Sequence, residues 1–199
     1  MTKEIHYSNR YIAFSRDELS QKVAAKMSDK RFQHVLRVEQ KALELAVQYG
    51  VELEKASIAA LTHDYAKERP DDEMIEIIRT QGFDLSLIEF GNNVWHGVAG
   101  TYLVKRELGV TDTDILKAIE YHTTGNSEMS DLAKIIYVAD YIEEGRDFPA
   151  VVEARKIAKE NLDKAVAFET KQTLAFLIQK ETKIYPKTIE TYNTWVAHN

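Results

Sequence analysis

The chain has 199 residues, a net charge of −6 and no cysteine, so it can bury a real core but can form neither disulfides nor thiolate metal sites. The acidic balance argues against a nucleic-acid polymer as partner, which would demand clustered Lys and Arg, yet it leaves room for a small phosphorylated ligand whose charge bound cations would offset. The opening MTKEIHYSNRYIAF has no apolar region after a basic start, and no run approaches the roughly 20 apolar residues of a membrane helix, so a soluble cytoplasmic protein with no membrane partner is expected.

With three prolines, eight glycines and apolar residues recurring every three or four positions, the chain reads as all-α. Ser15 with Glu18 forms a capping box that opens a helix over 16–27. Ser28 and Asp29 open a longer helix that runs to Tyr49 and stops at Gly50. The next covers about 53–67 and ends before Pro70; Asp71 and Asp72 begin a short one closed by Gly82. After a small segment at Leu85 to Phe90, Asn92 and Asn93 lead a helix to Leu108, with Gly109 as its stop. Further helices are expected at 112–122, 130–144, 149–159 and 161–182, and Pro186 starts the last. No repeat or linker divides the chain, which reads as an N-terminal extension with one helix (1–27) followed by a single helical domain (28–199).

Six residues on these helices could bind metal, and each continues an apolar stripe. His34 shares its face with Arg31, Val35, Val38, Ala42, Leu45 and Ala46. The adjacent pair His63 and Asp64 lies four residues after Ala59 and Ala60; His96 follows the face of Ala99, Gly100 and Leu103; His122 continues Ile115, Ala118 and Ile119; Asp140 continues Leu132 and Ile136. A lone His on such a stripe is more often a hydrogen-bonded core histidine than a ligand. Inward carboxylates shift the balance, because an unpartnered buried Asp costs several kcal/mol; for Asp140 a salt bridge to Arg or Lys competes with a cation. His6 and His198 lie near the termini and are assigned no role.

In this order, His34, then His63-Asp64, then Asp140, the chain resembles the HD-domain metal-dependent phosphohydrolases, and the intervening His96 and His122 resemble their dinuclear branch. The strings RFQHVLRV, ALTHDYAK, HGVAG, AIEYHTTG and YVADYIEEGR are similar, more closely, to the YqeK-type symmetrical diadenosine tetraphosphate hydrolases, from about residue 28 to the C-terminus. The resemblance implies a helical HD-domain bundle with a dinuclear site in its core, a di-iron centre, and cleavage of diadenosine tetraphosphate into two ADP. By position it implies one metal on His34, His63, Asp64 and Asp140 and a second on His96 and His122, with Asp64 bridging. The chain departs from the family near its end, where Tyr185 in IYPKTIETYN replaces the usual histidine of a histidine-proline pair.

Imidazole and carboxylate donors alone suit iron, manganese or zinc, and only family likeness favours iron. Two such cations would activate water and grip phosphoryl oxygens, so that hydrolysis by in-line attack mainly needs positioning and charge neutralisation. Besides Asp64, the expected catalytic residue is Lys67, one turn on, whose ammonium would reach a metal-held phosphate; a solvated helix-end lysine is the alternative. Arg37, Lys67, Thr123, Thr124, Ile142, Glu143 and Arg146 are the expected contacts to a dinucleoside polyphosphate or nucleoside diphosphate, with capping and turn chemistry as the competing account of the threonines. A related HD phosphohydrolase acting on nucleotides, deoxynucleoside triphosphates, cyclic nucleotides or guanosine tetraphosphate would use a similar core. A non-catalytic nucleotide-sensing module is the other alternative. Inward and interface-facing stripes look alike in sequence, which leaves a homodimer open.

Overall fold

A computed structural model describes residues 5–197; His198 lies outside them. Among the described residues there are only helices, turns and loops. In chain order the α-helices are α1 (Arg16–Ala24), α2 (Asp29–Tyr49), α3 (Leu53–Thr62), α4 (Asp71–Thr80), α5 (Asn92–Val98), α6 (Gly100–Leu108), α7 (Thr113–Tyr121), α8 (Asp131–Ile142), α9 (Val151–Glu160), α10 (Leu162–Gln179) and α11 (Pro186–Trp195); a 3-10 turn spans Leu85–Phe90 before α5.

Local chemistry sets many of the boundaries. The Ser15 and Glu18 side chains cap each other's backbone at the start of α1. Ser28 accepts from the Arg31 N–H at the start of α2, and Gly50 closes that helix in the left-handed conformation at φ 71°. Asp112, Ser130 and Asn161 cap α7, α8 and α10 in the same way, and Pro186 supplies the first residue of α11.

Besides shifts of one to three residues at several helix ends, two larger differences from the sequence expectation lie close to a candidate ligand. The helix expected over 53–67 ends at Thr62, and residues 63–69 continue as tight turns closed by Lys67 N–H to Asp64 O at 2.9 Å and Arg69 N–H to Ala66 O at 3.2 Å. Thr62 bonds its hydroxyl back to the Ile58 carbonyl at 2.6 Å, a local competition that weakens regular winding. The helix expected over 92–108 is two, α5 and α6, with the break at Ala99 beside Gly100.

The core forms where α2 packs on α3 and α8, α3 on α7, and α7 on α8, with α10 covering the far side of α8. Ile58, Leu61, Ile115, Ile119, Leu132 and Ile135 are fully buried there, each contributing about 1.5–3 kcal/mol of transfer free energy. The segment before residue 28 joins the same core through Tyr11, Ile12, Leu19 and Val23. It is tied down by polar contacts as well: Tyr7 Oη lies 2.7 Å from Ser57 Oγ, Ser8 donates to Glu54, and Arg16 pairs with buried Glu39. Among the described residues no helix is long and apolar enough to cross a membrane.

Candidate metal centre

Five segments converge their polar residues on one buried point. His34 comes from the first half of α2, His63 and Asp64 from the first turn beyond α3, His96 from α5, His122 from the residue that ends α7, and Asp140 from the last turn of α8. His34, His63, Asp64, His96 and His122 are buried, while the Asp140 side chain stays 22% exposed at the rim. All six expected ligands are therefore brought together, in groups whose donor atoms lie within 4.8 Å of one another.

Asp64 organises the cluster. Its Oδ2 is 3.6 Å from His34 Nε2 and 3.5 Å from His63 Nε2, and its Oδ1 is 3.2 Å from His96 Nε2 and 3.8 Å from His122 Nε2. Each carboxylate oxygen thus faces a different pair of imidazoles. His34 Nε2 also lies 3.1 Å from Asp140 Oδ1, and the Nε2 atoms of His96 and His122 are 3.0 Å apart.

The other ring nitrogens fix the tautomers. Nδ1 of His63, His96 and His122 sits 2.6–2.7 Å from the carbonyls of Ala60, Asn92 and Ile119, which can only accept, so each Nδ1 carries the proton. His34 Nδ1 faces Glu143 Oε1 at 3.1 Å in the same sense. All four Nε2 lone pairs then point at carboxylates or at each other, and among the described residues the buried Nε2 atoms of His34 and His63 have no hydrogen-bond partner. Acceptors facing acceptors in a buried site call for cations between them, and an Nδ1–H held by a carbonyl or carboxylate is the usual support of a metal-bound imidazole. The residues present fit metal binding on this ground alone.

The electrostatics agree for two of the rings, His63 and His122. Burial pushes His63 down and, with the neighbouring imidazoles of His96 and His63, pushes His122 down to about 3, so both rings are neutral at physiological pH. For His34, burial is outweighed by Asp140, Asp64 and Glu143, and the net shift is upward.

Cations from the protein ring the cluster. Arg31 donates to Asp64 Oδ2 at 2.9 Å, and Arg146 donates to Asp140 Oδ1 at 2.6 Å and to the Asp140 carbonyl at 3.0 Å. Lys67 donates to Asn93 Oδ1 at 3.1 Å, and burial lowers its ammonium below the usual lysine range. Arg31 escaped the sequence reading as a functional residue, although its place three residues before His34 on the same stripe was a usable signal.

Other expected contacts are committed elsewhere. Glu143 is buried and receives Arg37 at 2.5 Å besides His34, which makes it a support for the His34 ring rather than a free side chain. Ile142 is packed into the core, and its carbonyl accepts from Arg155. Thr124 turns its hydroxyl to the Gly125 carbonyl, while Thr123 Oγ1 is buried without a partner. Sequence periodicity gives the face of a helix but not the hydrogen bonds its end residues make, which is why these four were not separable beforehand. Tyr185 is buried and packs edge-on against Phe90, ring centres 5.0 Å apart. His6 is exposed.

The HD domain family matches residues 31–145, a span that includes every residue of the cluster. A symmetrical bis(5'-nucleosyl)-tetraphosphatase of Bacillus subtilis is 44% identical over 183 residues, 92% of this chain and 98% of that protein. Its counterpart in Staphylococcus aureus is 37% identical over 84% of this chain and 88% of its own length. A crystal structure from Clostridium acetobutylicum, described as a predicted HD superfamily hydrolase involved in NAD metabolism, superposes with a TM-score of 0.83 at 41% identity, covering 92% of this chain and 97% of the other.

Proposed function

The chain belongs to the HD-domain family and, within it, to the symmetrical bis(5'-nucleosyl)-tetraphosphatases, and we propose that its buried cluster holds two metal ions for the hydrolysis of diadenosine tetraphosphate to two ADP. The observation that carries the two-ion reading is Asp64, whose two oxygens face separate histidine pairs. His34, His63 and Asp140 would complete one site and His96 with His122 the other. Iron follows from the family resemblance; manganese and zinc suit the same donors.

Metal ions bound there would supply Lewis acidity toward phosphoryl oxygens and would lower the pKa of a bound water to about 7. The protein's own part is positioning and charge. Water adds across the central anhydride of the four-phosphate bridge: a P–O bond forms at one inner phosphorus, its bond to the bridge oxygen breaks, that oxygen leaves with the second ADP, and the two protons of water are released as both new terminal phosphates ionise. Arg31, Lys67 and Arg146 stand around the cluster, where they would neutralise the non-bridging oxygens of the bridge. Their present partners, Asp64, Asn93 and Asp140, keep those side chains extended toward the site, which reduces the ordering cost of binding phosphate. ADP is a good enough leaving group that no strong proton donor is assigned.

Product analysis tests this reading. Purified protein supplied with Fe²⁺ or Mn²⁺ should convert diadenosine tetraphosphate to ADP as sole nucleotide product. AMP and ATP in equal amounts would show asymmetrical cleavage and refute it, and no turnover would move the substrate to another HD class.

A further inference from the structure

The string HGVAG places glycines at 97 and 100, directly after His96. Neither has a left-handed backbone, so turn geometry does not call for glycine at these helical positions, where it costs about 0.5–1 kcal/mol relative to alanine. Space accounts for both. A methyl group on Gly97 would lie 3.2 Å from the Glu120 carbonyl oxygen, 3.2 Å from Thr123 Oγ1 and 3.4 Å from His122 Cε1, all at the end of α7. A methyl group on Gly100 would come within 2.9 Å of Ala66 Cβ, in the turn that carries Asp64 and Lys67.

The junction of α5 and α6 therefore touches, through bare Cα atoms, the two segments that bring His122 and Asp64 to His96. His96 Nε2 is 3.0 Å from His122 Nε2 and 3.2 Å from Asp64 Oδ1. We propose that Gly97 and Gly100 are positioning residues that hold His96 in register with His122 and Asp64, and so set the affinity of the Asp64–His96–His122 half of the centre. The inference rests on the two-ion reading above.

Little slack exists to absorb an added methyl. The Glu120 carbonyl, 3.2 Å from the added methyl, is backbone, and the His122 ring is pinned by its Nδ1–H to the Ile119 carbonyl at 2.7 Å, so relieving the clash moves α5, and His96 with it, away from His122. Metal sites tolerate ligand displacements of only about 0.2 Å, comparable with the shift such a contact forces. His34 and His63 are not among the close neighbours of either glycine, and because the halves share only Asp64, the His34–His63–Asp140 half should lose far less affinity than the other.

The test titrates metal-free wild type, Gly97→Ala and Gly100→Ala with Mn²⁺ by calorimetry, with circular dichroism to confirm folding. The wild type should take up two ions, and each variant should keep one site while binding the second ion at least tenfold more weakly. The double variant Ala66→Gly/Gly100→Ala moves the methyl across the contact instead of adding one, and it should recover the second site; it also decides the matter if Gly97→Ala fails to fold. Two sites of wild-type affinity in the folded single variants would overturn the inference, as would a Gly100→Ala defect that Ala66→Gly leaves uncorrected. A wild type that binds a single Mn²⁺ would instead defeat the two-ion reading itself.

Discussion

Asp64 is the residue through which both halves of the proposed centre would meet, with two imidazoles within 3.6 Å of one oxygen and two more within 3.8 Å of the other. Replacing it should therefore disable both halves together. For Asp64→Ala we expect metal content below one ion per chain and turnover reduced roughly a hundredfold or more; metal analysis showing two ions, with activity intact, would remove Asp64 from the shared position. At this scale the sequence was informative about identity and weak about role. His34, His63, Asp64, His96, His122 and Asp140 could each be named from stripe position and family likeness. That Glu143 supports His34, that Arg31 holds Asp64, and that Thr124 and Ile142 face away depended on side-chain directions at helix ends, where periodicity no longer constrains them.

At the scale of elements, the turn after α3 carries the cluster's central residue and is anchored from both sides. Ser28, the cap of α2, donates its hydroxyl and backbone N–H to Glu68, and Glu107 on α6 receives Tyr65 at 2.8 Å and Arg69 at 2.6 Å. Burial alone would raise the Glu107 carboxyl, but hydrogen bonds from Arg106, Tyr65 and Arg69 bring it from the usual 4.5 down to about 2. A carboxylate with a depressed folded-state pKa stabilises the fold fully above its unfolded value, and that stability is lost as pH falls through about 4.5 toward 2. Glu107→Gln should accordingly be less stable than wild type at pH 7, with the gap closing across that acid window; urea titrations at several pH values would show it, and a gap unchanged at pH 3 would contradict it. The capping residues of α1, α2 and α11 were legible because their chemistry is local. The break between α5 and α6 was not, because neighbouring segments impose it: the junction is fitted against Ala66 and the end of α7.

For the whole molecule, the proposed centre links helices distant in sequence, since α2, α5, α7, α8 and the turn after α3 each supply a candidate ligand. Cations bound to the folded chain alone should therefore stabilise it globally. At metal concentrations near a hundredfold Kd, about 2.7 kcal/mol per site is gained, on the order of 5 to 10 °C in melting temperature for a domain of this size. Calorimetric melting with and without chelator would measure the shift, and an unchanged Tm would mean that the ligands are not bridged by metal in the folded protein. The sequence by itself determined the all-helical class, most helix starts and stops, and the six inward candidates, because 3.6-residue periodicity, caps and glycine stops are properties of neighbouring residues. Only the tertiary structure decided that those candidates share one point, that Asp64 stands between two pairs of histidines, and that HGVAG is a contact surface as well as a ligand string. The physical reason is separation along the chain: residues as far apart as His34 and Asp140 come within 3.1 Å only when α2, α3, α7 and α8 have packed.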